Sequence, residues 1–125
     1  MSGKWLLVLG SLNAFVGVAF GAFGAHALRG RLSTEMSRVW ETAVQYQLVH
    51  ALGLLVLGVL VAQHGANRPL TWAGWLMLLG VVIFSGSLYV LALSGVRWLG
   101  AITPIGGTLM LVSWLLVAWG AWRLL

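Results

Sequence analysis

The chain has 125 residues, 61% hydrophobic and 7% charged, with a mean hydropathy of +1.00. Soluble domains carry about 25% charged residues because their surface faces water. Seven Lys/Arg and two Asp/Glu cannot form such a surface, so a water-soluble globule is excluded and the folded chain must be dissolved in lipid.

A membrane-crossing helix needs roughly 20 apolar residues, about 30 Å of rise. Stretches free of Lys, Arg, Asp and Glu run Trp5–Leu28, Thr42–His64, Pro69–Val96 and Trp98–Trp122, which leaves no room for a soluble domain. These runs lack apolar–polar alternation and are rich in Leu, Ala and Gly, which argues against a β-barrel. The predicted fold is all-α. It is a polytopic, up-down bundle of four transmembrane helices forming a single membrane domain, 1–125. The spans are expected at about 4–28, 42–63, 71–94 and 104–124, with an amphipathic helix start at about 34–41.

A pI of about 11.4 would point to nucleic acid in a soluble protein. Here Lys4, Arg29, Arg31, Arg38, Arg68, Arg97 and Arg123 lie at span ends or in loops, where anionic headgroups favour them. No basic face or aromatic stacking platform accompanies them, so membrane lipids and not nucleic acid are the expected partners. The chain has no cysteine, which removes disulfides, thiolate metal sites and cysteine nucleophiles.

Span 1 begins like a signal peptide, with Lys4, an apolar run and Ala25-His26-Ala27. The run is too long for a signal-peptide core, so it is read as an uncleaved first span. Gly10, Ala14, Gly17, Gly21 and Gly24 fall on one helical face, and a small-residue row in lipid marks a helix–helix interface. Asn13, the one strongly polar group at mid-depth, is expected to face the bundle interior.

The first loop, Arg29–Arg38, is the most polar segment. Ser33 and Thr34 before Glu35 signal a helix start, and a helical pattern then runs to Gln63. Its first turns carry Glu35, Arg38 and Glu41, able to pair at i,i+3. Arg68-Pro69 reads as the break after span 2. Span 3 repeats small residues at Ala73, Gly80, Ser87 and Ser94.

Span 4 turns on Thr103-Pro104. Either a helix from Trp98 kinks at Pro104, or Thr103 caps a helix whose first position is Pro104, which is preferred because a missing N–H is harmless there. Gly106, Ser113 and Gly120 form a third row. The three rows give the packing positions Gly10, Gly17, Gly21, Gly24, Gly80, Gly106, Ser113 and Gly120. They are more than four helices need to close, so one row is available to face a partner. Trp5, Trp40, Trp72, Trp98 and Trp122 lie at span ends, as interfacial anchors do.

Folded up and down, the spans gather their polar groups toward the loop 1/loop 3 face: Gln45 and Tyr89, and with them the seven residues His26, Tyr46, Gln47, His50, Ser85, Ser87 and Thr103. Counting along the helices puts His50 and Ser87 about 12–13 Å deep, on one level. Polar side chains in lipid are costly unless paired, so these seven are the candidate ligand-binding cluster. Several chemistries compete for it. Zinc would need H-x₃-H or H-E-x-x-H spacing, which is absent. A Ser–His pair would need an orienting acid, and the spans contain none. Proton passage through His50 would lack a relaying carboxylate. The favoured reading is that the cluster satisfies itself across helices and fixes register. No catalytic residue, metal site or cofactor is expected.

Four motifs in order, Gly21-Ala22-Phe23-Gly24-Ala25-His26, Tyr46-Gln47-Leu48-Val49-His50, Phe84-Ser85-Gly86-Ser87-Leu88-Tyr89 and Thr103-Pro104-Ile105-Gly106-Gly107, resemble the YgdD-like family of small bacterial inner-membrane proteins, a domain of unknown function. The resemblance implies a four-helix inner-membrane protein with both termini cytoplasmic. It carries no activity or cofactor. The chain's own charges leave orientation undecided: Lys4, Arg68 and Arg123 lie on one side and Arg29, Arg31, Arg38 and Arg97 on the other. The expected function is non-enzymatic, by association as a homo-oligomer or as an accessory subunit of a membrane complex. The alternative is binding or transport of a small ligand, lipid, ion or proton around His50.

Overall fold

The computed structural model describes residues 1–125 as four helices. These are α1 (Gly3–His26), α2 (Thr34–His64), α3 (Arg68–Ser94) and α4 (Thr103–Leu124), with a 3-10 turn at Arg97–Ala101 before α4. All four are long and apolar enough to cross a membrane. With 31 residues, α2 rises about 46 Å, so its first turns stand outside a hydrocarbon layer of about 30 Å.

Local signals set the ends. Ser33 Oγ accepts the Met36 N–H at 3.1 Å and starts α2. Asn67 starts α3 by accepting the Leu70 N–H at 3.0 Å, and its Nδ2 donates to the Gly120 carbonyl at 3.0 Å, tying the second loop to α4. Arg68-Pro69 is therefore the first turn of α3 and not a break. Proline is harmless there because the first helical N–H groups have no intrahelical acceptor. α3 ends at Gly95 in the left-handed conformation, φ +72°.

Span 4 departs from both sequence readings. The 3-10 turn replaces a continuous helix from Trp98, and Thr103 is already helical and makes no side-chain cap. Pro104 does occupy the first turn, but the Thr103 hydroxyl turns toward Ser87, 2.6 Å away. The predicted i,i+3 pairs at the start of α2 do not form either. Glu35 instead reaches across the loop face to Arg97, with contacts of 2.9 and 3.1 Å that lock both prongs of the guanidinium.

α2 and α3 form the central pair. α1 packs on α2, and α4 packs on α3. The α1 row is a slot for α2: a Cβ at Gly10 would meet the Ala51 carbonyl at 3.1 Å, one at Gly17 would meet Leu48 at 2.7 Å, and one at Gly21 would meet Val44 at 3.3 Å. Gly24 accommodates the Trp40 indole. The α3 and α4 rows face each other. Gly80 lies against Gly106 and Met110, Gly120 lies against Leu70, and Ser113 is wholly buried. The glycines of all three rows are thus in contact inside the chain, while Ser94, the last member of the α3 row, is exposed and donates to the Val90 carbonyl of its own helix.

Two apolar clusters fill the ends. One joins Leu6, Leu54, Leu57, Val61, Leu70, Ala73 and Met77. The other, toward loops 1 and 3, joins Leu28, Trp40, Ala43, Leu88, Tyr89, Leu91 and Ala92. Trp40 is a core residue here and not an interfacial anchor. It is only 4% exposed, and its indole N–H donates to the Phe20 carbonyl at 2.8 Å. Its position near a span end misleads because Gly24 opens a place for it on α1.

Candidate functional site

Residues 47 and 50 of α2 lie one turn apart, and both are buried. Two partners of fixed character hold the His50 ring. Nδ1 lies 2.7 Å from the Tyr46 carbonyl, and the Trp114 indole N–H reaches Nε2 at 3.0 Å. An indole N–H only donates and a carbonyl only accepts, so Nε2 is the bare nitrogen and Nδ1 carries the proton. The hydrogen-bond network therefore assigns the neutral Nδ1–H tautomer. Tyr46 stacks on the same ring at a 12° interplanar angle and packs against Phe84.

The other members pair elsewhere. Tyr89 donates to Gln47 Oε1 at 2.6 Å, and Ser85 donates to the Ala43 carbonyl at 2.7 Å, so both bonds bridge α3 to α2. Ser87, two residues on, faces α4 and meets Thr103. The alternation follows from the helix itself, where i and i+4 share a face and i+2 lies nearly opposite. His26 is exposed in the last turn of α1 and is not brought to the cluster. Asn13 is half-buried and donates to the Leu9 carbonyl of its own helix at 2.9 Å.

Six of the seven predicted residues are thus gathered at one end of the bundle, but as four separate bonded groups and not one shared pocket. His50 and Ser87 do not bond to each other. No three His, Cys, Asp or Glu side chains converge. Every buried side-chain nitrogen and oxygen has a partner. The one cavity at the cluster is a groove of about 460 Å³ between α2, α3 and α4, walled by Tyr46, His50, Phe84, Pro104, Met110 and Trp114. Sequence reasoning missed Trp114 as a member. Eight Trp scattered through an apolar chain give no sign of which one meets a histidine.

This geometry defines a class: an integral membrane protein of four spanning helices, closed by glycine contacts and by internally paired polar groups. A profile of the family described as Protein of unknown function (DUF423) matches residues 20–107, and the chain belongs to that family. It is 53% identical to the UPF0382 membrane protein SERP0230 of Staphylococcus epidermidis over 114 residues, 91% of this chain and 92% of the relative. It is 46% identical to the UPF0382 membrane protein YwdK of Bacillus subtilis over 114 residues, 91% of this chain and 93% of the relative. No solved structure matches the chain.

Proposed function

We propose that the protein is non-enzymatic and acts by association within the membrane, as a homo-oligomer or as an accessory subunit of a larger membrane complex. One observation carries this reading: the polar cluster is spent on itself. Both nitrogens of His50 are occupied by Tyr46 and Trp114, Ser85 donates to a carbonyl, and Ser87 sits against Thr103 and not against a base. Acid–base or nucleophilic work needs a free lone pair or an adjacent base at the reacting group. Association then falls to the outer faces of α1 and α4, where Phe15, Leu111 and Leu115 are 71, 70 and 72% exposed. Native mass spectrometry from mild detergent tests it, with crosslinking through single cysteines placed at Phe15 or Leu115. Dimers, higher species or a co-purifying protein are expected, and a strictly monomeric protein without companions overturns it.

A second reading is favoured by the groove beside His50: binding or transport of a small ligand, lipid, ion or proton. A bound molecule within hydrogen-bonding reach of the His50 ring in an experimental map would carry it. A groove filled only by acyl chains returns the argument to association.

The narrower YgdD-like assignment and a bacterial inner-membrane location with both termini cytoplasmic are further parts of this proposal, supported by the four motifs. The cysteine-free chain makes the topology directly testable. Single cysteines at Ser2 and Gly30 should label from opposite sides of the membrane, Gly30 from outside the cell.

A further inference from the structure

A second groove, of about 660 Å³, lies away from His50, where the end of α1 meets the first turns of α2. Gly21, Gly24 and Ala25 give it depth, and Val44 and Leu48 extend its floor down α2. The Trp40 indole N–H is spent on the Phe20 carbonyl, so the ring adds only apolar surface to that floor. From Glu41 to Leu48 the groove descends about 10 Å along α2, the distance over which a membrane passes from headgroups to acyl chains.

The rim is polar and carries two charges of opposite sign, Arg29 and Glu41, with Ser37 and Gln45 beside them. Neither charge is neutralised within the chain, since the one salt bridge is that of Arg97 with Glu35. A rim of zero net charge with separated poles complements a zwitterion. A phosphate suits the guanidinium, which presents several N–H donors, and a primary ammonium suits the carboxylate, which accepts its N–H bonds. An anionic headgroup would meet repulsion from Glu41, and a quaternary ammonium has no N–H to give.

We propose that this groove binds a zwitterionic phospholipid with a primary-ammonium headgroup, its phosphate at Arg29, its ammonium at Glu41 and one acyl chain lying over Gly21, Gly24 and Leu48. The test is native mass spectrometry of the intact protein in mild detergent, titrated with dioleoyl phosphatidylethanolamine, phosphatidylcholine or phosphatidylglycerol. The ethanolamine lipid should bind about fivefold more tightly than the other two, the worth of one partly screened ion pair. Glu41→Gln should erase its preference over phosphatidylglycerol, and Arg29→Gln should weaken all three. Ala25→Phe, which fills the floor and leaves both charges in place, should also weaken all three; its thermal unfolding confirms that it folds. Equal retention of the three lipids by the wild type overturns the site. So does an ethanolamine preference that survives both Glu41→Gln and Ala25→Phe.

Discussion

Gly106 lies in the tightest backbone contact between α3 and α4, and its replacement by alanine is the sharpest perturbation the fold offers. A Cβ there would sit 2.5 Å from the Phe84 backbone nitrogen, 2.7 Å from the Gly80 carbonyl oxygen and 2.9 Å from the Phe84 Cα. All three atoms are backbone, so no side-chain rotation relieves the overlap. Heavy atoms settle near 3.5–4.0 Å, so α4 must retreat by about 1 Å. That movement stretches the Ser87–Thr103 bond from 2.6 Å toward the limit of hydrogen bonding. Overpacking costs about 1–3 kcal/mol, and a lost interhelical hydrogen bond in a membrane adds about 0.6–1.7 kcal/mol. Alanine returns about 1 kcal/mol in helix propensity. Gly106→Ala should therefore destabilise by about 1–3 kcal/mol.

The neighbouring glycine supplies the control. A Cβ at Gly107 would lie 3.7 Å from the Phe84 ring, an ordinary contact, so Gly107→Ala keeps the propensity gain without the clash. It should be neutral or up to about 1 kcal/mol more stable. Equilibrium unfolding in mixed micelles, read by circular dichroism and tryptophan fluorescence, measures both. If the two alanines shift stability in the same direction, or Gly106→Ala matches the wild type, the backbone-contact argument is refuted.

Three further outcomes follow from the side-chain bonds. Trp114→Phe keeps a ring against His50 but removes the donor to Nε2. It should cost about 1 kcal/mol in the same titration, and His50→Phe should cost less in that background than in the wild type. Tyr89→Phe strands the Gln47 amide oxygen at a cost of about 1–2 kcal/mol, and adding Gln47→Leu should recover part of the loss, because both polar members are then gone. At the loop face, the Arg97 guanidinium holds the Glu35 carboxyl below the usual carboxylate range, mainly through their side-chain hydrogen bonds. A folded value below the unfolded one means the tether is present at neutral pH and is lost as pH falls through that lowered value. Carboxyl ¹³C NMR of Glu35 should show the low midpoint, and Arg97→Gln should bring it back to the ordinary range.

The number of spans and the fold class were legible because charge is so costly in hydrocarbon that the charge-free runs of this chain can only be spans. The small-residue rows were legible as faces, since a seven-residue period marks one side of a helix. What each row faces was not, because a row of glycines names no partner, and α1's slot for α2 and the mutual contact of α3 and α4 are tertiary facts. Gly53, which meets Met77 and Trp114, belongs to no row and left no periodic signal. The polar cluster was found from the cost of placing amides and hydroxyls in lipid. Its division into separate pairs was not, because it depends on bonds between residues far apart in the chain, such as Gln47 with Tyr89. Trp40 and Trp114 show the same limit. Whether a tryptophan anchors at an interface, fills a core or donates to a histidine depends on what lies opposite.

The pairing of glycine contacts with directional bonds has a physical reason. Rows of small residues that repeat every seven positions allow close approach, but they discriminate poorly between registers. A slide of one heptad, about 10 Å, sets each helix against a slot much like the one it left. Lipid offers no hydrophobic drive to break the tie, because acyl chains are as apolar as leucine. A hydrogen bond between two particular side chains does break it, since a slipped register strands both partners in hydrocarbon. Two of the three principal contacts have such a bond, Tyr89 to Gln47 between α3 and α2 and Ser87 with Thr103 between α3 and α4; at the third, between α2 and α1, the Trp40 indole donates to the Phe20 backbone carbonyl. Polar groups in a coiled-coil core select register in the same way. The glycines set how closely the helices approach, and the polar cluster sets where along their length they stop.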